Sequence, residues 1–306
     1  MARRLRFIPE GGALVEVTCR TVHARFLLRP SRILNEIIIG VLARAQRRYK
    51  VEICAFSFMS NHFHVLLWVE DAQMLASFMG YFNSKLAREA GRLAGWRERF
   101  WSRRYQAIVI SNEERAQAER LAYVLSHGVK EGLVESIRDW PGVHSVHALL
   151  DGTPLQGCWF DRTQEYAARR RGEEFDRLRY ATLETLSLSP LPCWKRLPSE
   201  QYRDRIADLV QQIEAEAAAE RERTGIQPPG PSAIRSQNPH DRPNRPKKSP
   251  APLFHAASRR VRRRFYEAYA WFVSEFRTAA EKLRAGDRNA SFPPGSFPPA
   301  LPFVPG

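Results

Sequence analysis

Apolar and polar residues alternate from Ala13 to Leu28 (ALVEVTCRTVHARFLL), a period-two pattern rich in β-branched residues that predicts a first strand. After Pro30 the period changes: Ile33, Ile37, Val41 and Ala45 recur every four residues behind Ser31, a helix with its N-cap. The run VEICAFSFMSNHFHVLLWVE predicts two strands turning at Met59-Ser60-Asn61, and Asp71 caps a second helix with a basic far end. RFWSRRYQAIVIS predicts another strand and EERAQAERLAYVLSHGVKEGLV a third helix. The order β-α-β-β-α-β-α predicts an α+β fold, a ferredoxin-like split βαβ sandwich. Its antiparallel sheet would carry helices on one face and leave the other free for a ligand.

The pattern changes near Asp151, so residues 1–150 are expected to form one catalytic-type domain and 151–223 a helical extension, with charged helices over Asp161–Arg179 and Pro198–Arg223. Residues 224–252 are Pro-rich and polar and predict a linker or long loop. Residues 253–306 predict a basic aromatic helix and a Pro-rich tail. In that helix Val261, Phe265, Ala268, Phe272, Phe276, Ala279 and Leu283 recur every three or four residues, a stripe suited to packing.

Charge narrows the class of partner. The 306 residues hold 48 Lys plus Arg against 33 Asp plus Glu, a net +15. Such a chain attracts polyanions, nucleic acid first among them. Four scattered cysteines without CxxC spacing predict neither a zinc ribbon nor a disulfide framework. No apolar run reaches the ~18 residues of a membrane span, and the basic start MARRLRFIPEGG lacks a signal-peptide core. A cytoplasmic protein with no membrane partner is the expectation.

Side chains alternate along a strand, so His62 and His64 share a face, about 7 Å apart, while Phe63 points away. Two imidazoles so placed can converge on one divalent cation. In the third helix Tyr123, His127 and Lys130 fall at i, i+4 and i+7, opposite the apolar Leu121, Leu125 and Val129. That face can add a third ligand and a reacting hydroxyl. Tyr105, in RRYQAIV, is the rival hydroxyl at a strand position where aromatics are commonplace.

Four segments in order, MSNHFHVLLWV, FWSRRYQAIVIS, AERLAYVLSHGVKEGLV and DWPGVHSV, resemble the motifs of single-tyrosine HUH transposases of the IS200-like superfamily, and among them the REP-associated tyrosine transposases of bacteria. The resemblance runs from about Gly11 to Leu150. It implies His62 and His64 as metal ligands, Tyr123 as nucleophile, and His127 at the position where the family has a metal-binding amide. Gly128 stands where the family often has proline. The implied chemistry is divalent-metal-dependent (Mg or Mn) cleavage and rejoining of single-stranded or hairpin DNA through a 5′-phosphotyrosine, that is, DNA transposition, in a monomer or a homodimer. Lys85, Arg88 and Lys130 are candidate phosphate contacts, as are Arg259, Arg260, Arg262, Arg263 and Arg264 in the basic helix, where aromatics follow closely. Two other readings stay open: a non-catalytic regulator that binds hairpin DNA or RNA, and a metal hydrolase using water. The second needs an acidic base near the histidines, and Glu70 and Asp71 lie past the strand's end.

Overall fold

The computed structural model describes residues 5–172, 177–244 and 252–300. Strand β1 (Ala13–Arg20) leads through a short 3-10 turn into α1 (Arg32–Tyr49), where Ser31 accepts from the Leu34 amide as the cap expected. A tight turn at Ser60-Asn61 joins β2 (Glu52–Met59) to β3 (His62–Val69). Asp71 caps α2 (Ala72–Leu93), and β4 (Gln106–Ile110) and α3 (Glu114–Leu125) complete the first unit. The sheet order is β2-β3-β1-β4, antiparallel throughout, the order of a ferredoxin-like split βαβ sandwich.

Parity along the strands divides the core. Val15, Val17, Phe63, Val65 and Leu67 face α1 and α2, meeting Ile37, Val41, Phe78 and Phe82. Leu14, Leu66 and Ile110 face the other way, where α3, α4 (Val146–Asp151) and α6 (Ser199–Thr224) bring Leu121, Leu125, Val146, Leu149, Ile206 and Val210. Each such side chain contributes about 1.5–3 kcal/mol on burial. The expectation of helices on one face is therefore corrected. Both faces are covered, because β1 and β3 carry apolar residues of both parities. The segment DWPGVHSV closes the β2 edge: Trp140 Nε1 donates to the Phe58 carbonyl at 2.9 Å and the Phe58 amide to the Val143 carbonyl.

The segment 151–223, expected as a helical extension, carries strands beside its helices. It contains an antiparallel hairpin of β5 (Leu155–Phe160) and β6 (Ala181–Leu186) on either side of the short α5 (Arg162–Arg170). The hairpin lies on α1, where Gly40 and Gly157 let the two backbones touch and a Cβ at either would overlap main-chain atoms. Buried Glu184 is held by Arg44 and Arg47 at 2.7 and 2.9 Å. Strands this short, with polar residues on one face, leave little period-two signal, and their stability comes from α1.

The expected linker is also docked over its described part. Helix α7 (Gly230–Arg235) buries Ile234 in the α3–α6 cluster, and the Gly230 amide donates to the Leu133 carbonyl at 3.1 Å. Farther on, the Phe26 amide donates to the Asp241 carbonyl at 2.9 Å, and Arg29 to the Gln237 carbonyl at 3.2 Å. Main-chain hydrogen bonds hold what few apolar side chains could not. Residues 245–251 of the expected linker and 301–306 of the tail lie outside the described residues. The chain then adds β7 (Phe254–His255) parallel to β4 as a fifth strand and enters α8 (Arg259–Arg284). The aromatic stripe of α8 packs as expected: Phe265 stacks on Phe254 at 5.2 Å, and Tyr269 and Phe272 surround Phe7. Among the described residues no helix is long and apolar enough to cross a membrane.

Candidate active site

Register decides what meets the histidines. His64 lies opposite Thr18 and His62 opposite Arg20, so both imidazoles share the face of Glu16, Thr18 and Arg20, the face on which α3 rests. Helix α3 stops at Leu125, two residues short of His127, rather than running on past Lys130 as the periodicity suggests. The cause is Gly128, whose φ of +101° ends the helical path, with its amide bonded to the Glu131 carboxylate at 2.7 Å. The Leu133 amide returns to the Gly128 carbonyl at 2.8 Å, so this turn is fastened where the family often has proline.

The turn delivers His127 beside the strand pair. Its ring lies 4.1 Å from that of His64 and 5.9 Å from that of His62, and ligand nitrogens of the three lie within 4.8 Å of one another. Each Nδ1 has an oxygen partner: His62 with Asn61 Oδ1 at 2.6 Å, His64 with Glu16 Oε1 at 2.7 Å, His127 with the Val124 carbonyl at 3.2 Å. If each Nδ1 donates its proton there, the three Nε2 atoms keep their lone pairs, that of His127 facing the Lys130 ammonium at 3.1 Å. Burial, joined by neighbouring imidazoles and cations, pushes His62 and His127 well below the usual histidine range and His64 down to about 3. Neutral imidazoles with oriented lone pairs are what a divalent ion requires, and a carboxylate behind one of them is a common supporting feature of such sites. The residues fit the metal that the histidine motif implies.

Tyr123 stands over this cluster, 39% exposed, its ring 5.0 Å from His127 and 5.6 Å from His64. Two cations flank it. Arg120 Cζ lies 4.2 Å from the ring centre and Lys130 Nζ 3.5 Å, and Lys130 also meets His127 Nε2 at 3.1 Å. Burial lowers the Lys130 ammonium to about 8, with Glu131 pulling the other way. Arg120 in turn pairs with Glu16, so one buried carboxylate links a histidine of the cluster to the cation over the phenol.

Other sequence candidates fall elsewhere. Tyr105 is buried in the α1–α2 core, on the opposite sheet face, and burial raises its phenol. Lys85 and Arg88 lie on that far side too, beside Trp159 and Phe160 of the hairpin, away from the Tyr123 phenol. Of the three cations singled out near the catalytic unit, Lys130 alone reaches Tyr123. The five arginines occupy the start of α8. Sequence reasoning misses Glu16, Asn61 and Arg120. Glu16 does leave a signal, an acid in the middle of an otherwise apolar strand. Arg120 leaves none.

Residues 21–125 match the family described as Transposase IS200 like, a span that takes in His62, His64 and Tyr123 and stops short of His127. No curated protein matches the chain. Among solved structures, it is similar to a REP-associated tyrosine transposase bound to a REP hairpin, at 18% identity over 49% of this chain and 86% of that one, with a TM-score of 0.39. A protein from Deinococcus radiodurans R1 described as a transposase is 15% identical over 40% of this chain and 96% of that one, with a TM-score of 0.28.

Proposed function

We propose that this chain, whose residues 21–125 match the IS200-like transposase family, cuts and rejoins a single DNA strand with Tyr123 as the nucleophile. The observation that carries the reading is the meeting of an exposed phenol with three neutral imidazoles on one sheet face. A tyrosine hydroxyl with its usual pKa near 10 is a weak nucleophile at neutral pH and needs a cationic setting. Arg120 and Lys130 provide one, each stabilising negative charge that develops on the phenol oxygen. His62, His64 and His127 would hold a divalent ion, Mg or Mn, which when bound polarises the scissile phosphate and offsets its charge.

The step balances without a cofactor of energy. The Tyr123 oxygen bonds to phosphorus as its proton leaves, the bond from phosphorus to the 3′ oxygen breaks, and that oxygen takes up a proton. The product is a 5′-phosphotyrosine and a free 3′-OH, and attack by another 3′-OH reverses the sequence and releases Tyr123. The phosphate must come close to a phenol lying against the sheet, which suits an unpaired strand beside a hairpin better than a duplex.

The deciding experiment uses end-labelled hairpin DNA with a single-stranded flank, in Mn, scored for a covalent adduct that survives denaturing gel electrophoresis. The wild-type chain forms it; Tyr123→Phe binds the DNA and does not; Tyr105→Phe still does. His62→Ala with His64→Ala loses both adduct and Mn binding while keeping its fold. An adduct that persists in Tyr123→Phe overturns the assignment, and binding without any adduct in the wild type favours the regulator.

A further inference from the structure

Five of the first six residues of α8 are arginines, and its first turn holds no acid. That is the wrong sign for helix stability, since the amino-terminal end of a helix already carries about half a positive charge. Arg263 pairs with Glu267 at 2.7 Å; Arg259, Arg260, Arg262 and Arg264 have no carboxylate partner among the described residues. Packing does not require them either. All four are exposed, and none belongs to the Phe265–Tyr269–Phe272 seam that fastens the helix. Two exposed aromatics stand beside them: Tyr266, 44% exposed with its ring also against Phe254, shares one flank of the helix with Arg259 and Arg262, and Trp271, 59% exposed, shares the other flank with Arg260 and Arg264.

This end of α8 is anchored to the helix that carries Tyr123. The Ala257 and Ser258 amides donate to Glu113, just before α3, at 2.9 and 3.1 Å. His255 Nε2 meets Glu119 at 3.1 Å, one turn ahead of Tyr123, and Arg262 acts on His255 in turn. Ser258 caps α8 by accepting from the Val261 amide at 3.2 Å. The cations are therefore on a fixed base, continuous through α3 with Arg120 and the phenol.

We propose that the first two turns of α8, Arg259 to Tyr266 with Trp271 behind them, bind the unpaired DNA strand adjoining the phosphate attacked by Tyr123. The inference rests on the strand-transfer reading above. Arginines that are unpaired and set against a helix's positive pole suit phosphodiesters, which neutralise both. Exposed aromatic faces stack on unpaired bases and find no such face along a duplex. Each arginine that neutralises a phosphate of a single strand contributes about 0.7 to the slope of log affinity against log salt.

The test measures affinity across a salt series for two labelled oligonucleotides, a hairpin alone and the same hairpin with a ten-nucleotide single-stranded flank. The full chain is compared with a variant carrying Arg259→Gln, Arg260→Gln, Arg262→Gln and Arg264→Gln, and with one carrying Lys at the same four positions. The Gln variant should lose affinity for the flanked hairpin and have a slope shallower by about 0.7 for each phosphate no longer neutralised, roughly 3 for all four. The bare hairpin should bind both equally, and the Lys variant should retain the slope. Trp271→Ala should weaken flanked binding without changing the slope. Equal slopes for Gln and wild-type chains overturn the proposal, as does an equal loss on the bare hairpin, which would assign these arginines to the duplex. Tyr123→Phe keeps these slopes whatever the nucleophile is, so failure of this surface and failure of the strand-transfer reading are read separately.

Discussion

Glu16 takes the Nδ1 side of His64 and, through its second oxygen, Arg120, so a single buried carboxylate positions one histidine of the cluster and the cation over Tyr123. Glu16→Gln keeps the shape and removes the charge. A supporting group of this kind is typically worth 10- to 100-fold in metal affinity, so Mn titration of the variant should show a loss of about that size. Unchanged Mn affinity with a lowered melting temperature would make Glu16 a structural residue only. His144 tests the acid limb of stability apart from the metal cluster. It is buried, its Nδ1 accepts from the Val146 amide at 3.1 Å, and burial holds it down to about 3. Unfolded, it titrates near 6.5, so between these values the unfolded chain binds a proton that the folded chain refuses. Stability is complete above about pH 6.5 and falls as pH drops toward 3, by up to about 1.4 kcal/mol per unit for each such histidine. His62, His64 and His127 contribute with the same sign. Urea unfolding of His144→Gln from pH 7 to 4.5 should therefore fall less steeply than wild type, by one proton; parallel curves would refute the role.

At the scale of elements, two close approaches hold the later segments on the early ones. Gly40→Ala would ordinarily favour a helix by about 1 kcal/mol, but here the added methyl overlaps the Cys158 main chain. The clash should win, with faster amide exchange over Leu155–Phe160 while Val15, Val17 and Val65 keep their protection. Equal exchange in the hairpin would show that α1 and β5 can separate without cost. The second approach is Phe254, which is buried among Phe7, Phe265, Tyr266 and Tyr269. Phe254→Ala removes the ring that seats α8 and should cost about 3–5 kcal/mol locally, read as protease cleavage within α8 before the central sheet opens.

For the molecule as a whole, segments beyond residue 151 complete the core of the first unit. Ile206, Val210 and Ile234 share a cluster with Leu14 and Leu66, and β7 extends the sheet from far down the chain. Calorimetry should accordingly record one cooperative transition, with equal calorimetric and van't Hoff enthalpies. Two resolved transitions would mean that the carboxy-terminal segments unfold by themselves. The net charge of +15 belongs to this scale also, as a field that attracts DNA before any particular contact forms.

The sequence by itself determined the local matters: element order, the Ser31 and Asp71 caps, the shared parity of His62 and His64, and the apolar seam of α8. Each is written within a few residues, because periodicity states which side of an element is apolar. The tertiary structure decided which groups meet. Register put Glu16 on the histidine face and Tyr105 on the other, and helix docking brought Tyr123 and Arg120 to the histidines while carrying Lys85 and Arg88 away. Gly128 turned the chain so that His127 arrives from beyond the helix. The contacts of Glu113 with Ser258 and of Phe26 with Asp241 join residues more than a hundred positions apart. Pairings so distant leave no short-range pattern, since what selects them is the burial and hydrogen bonding available only once the sheet and its helices have assembled.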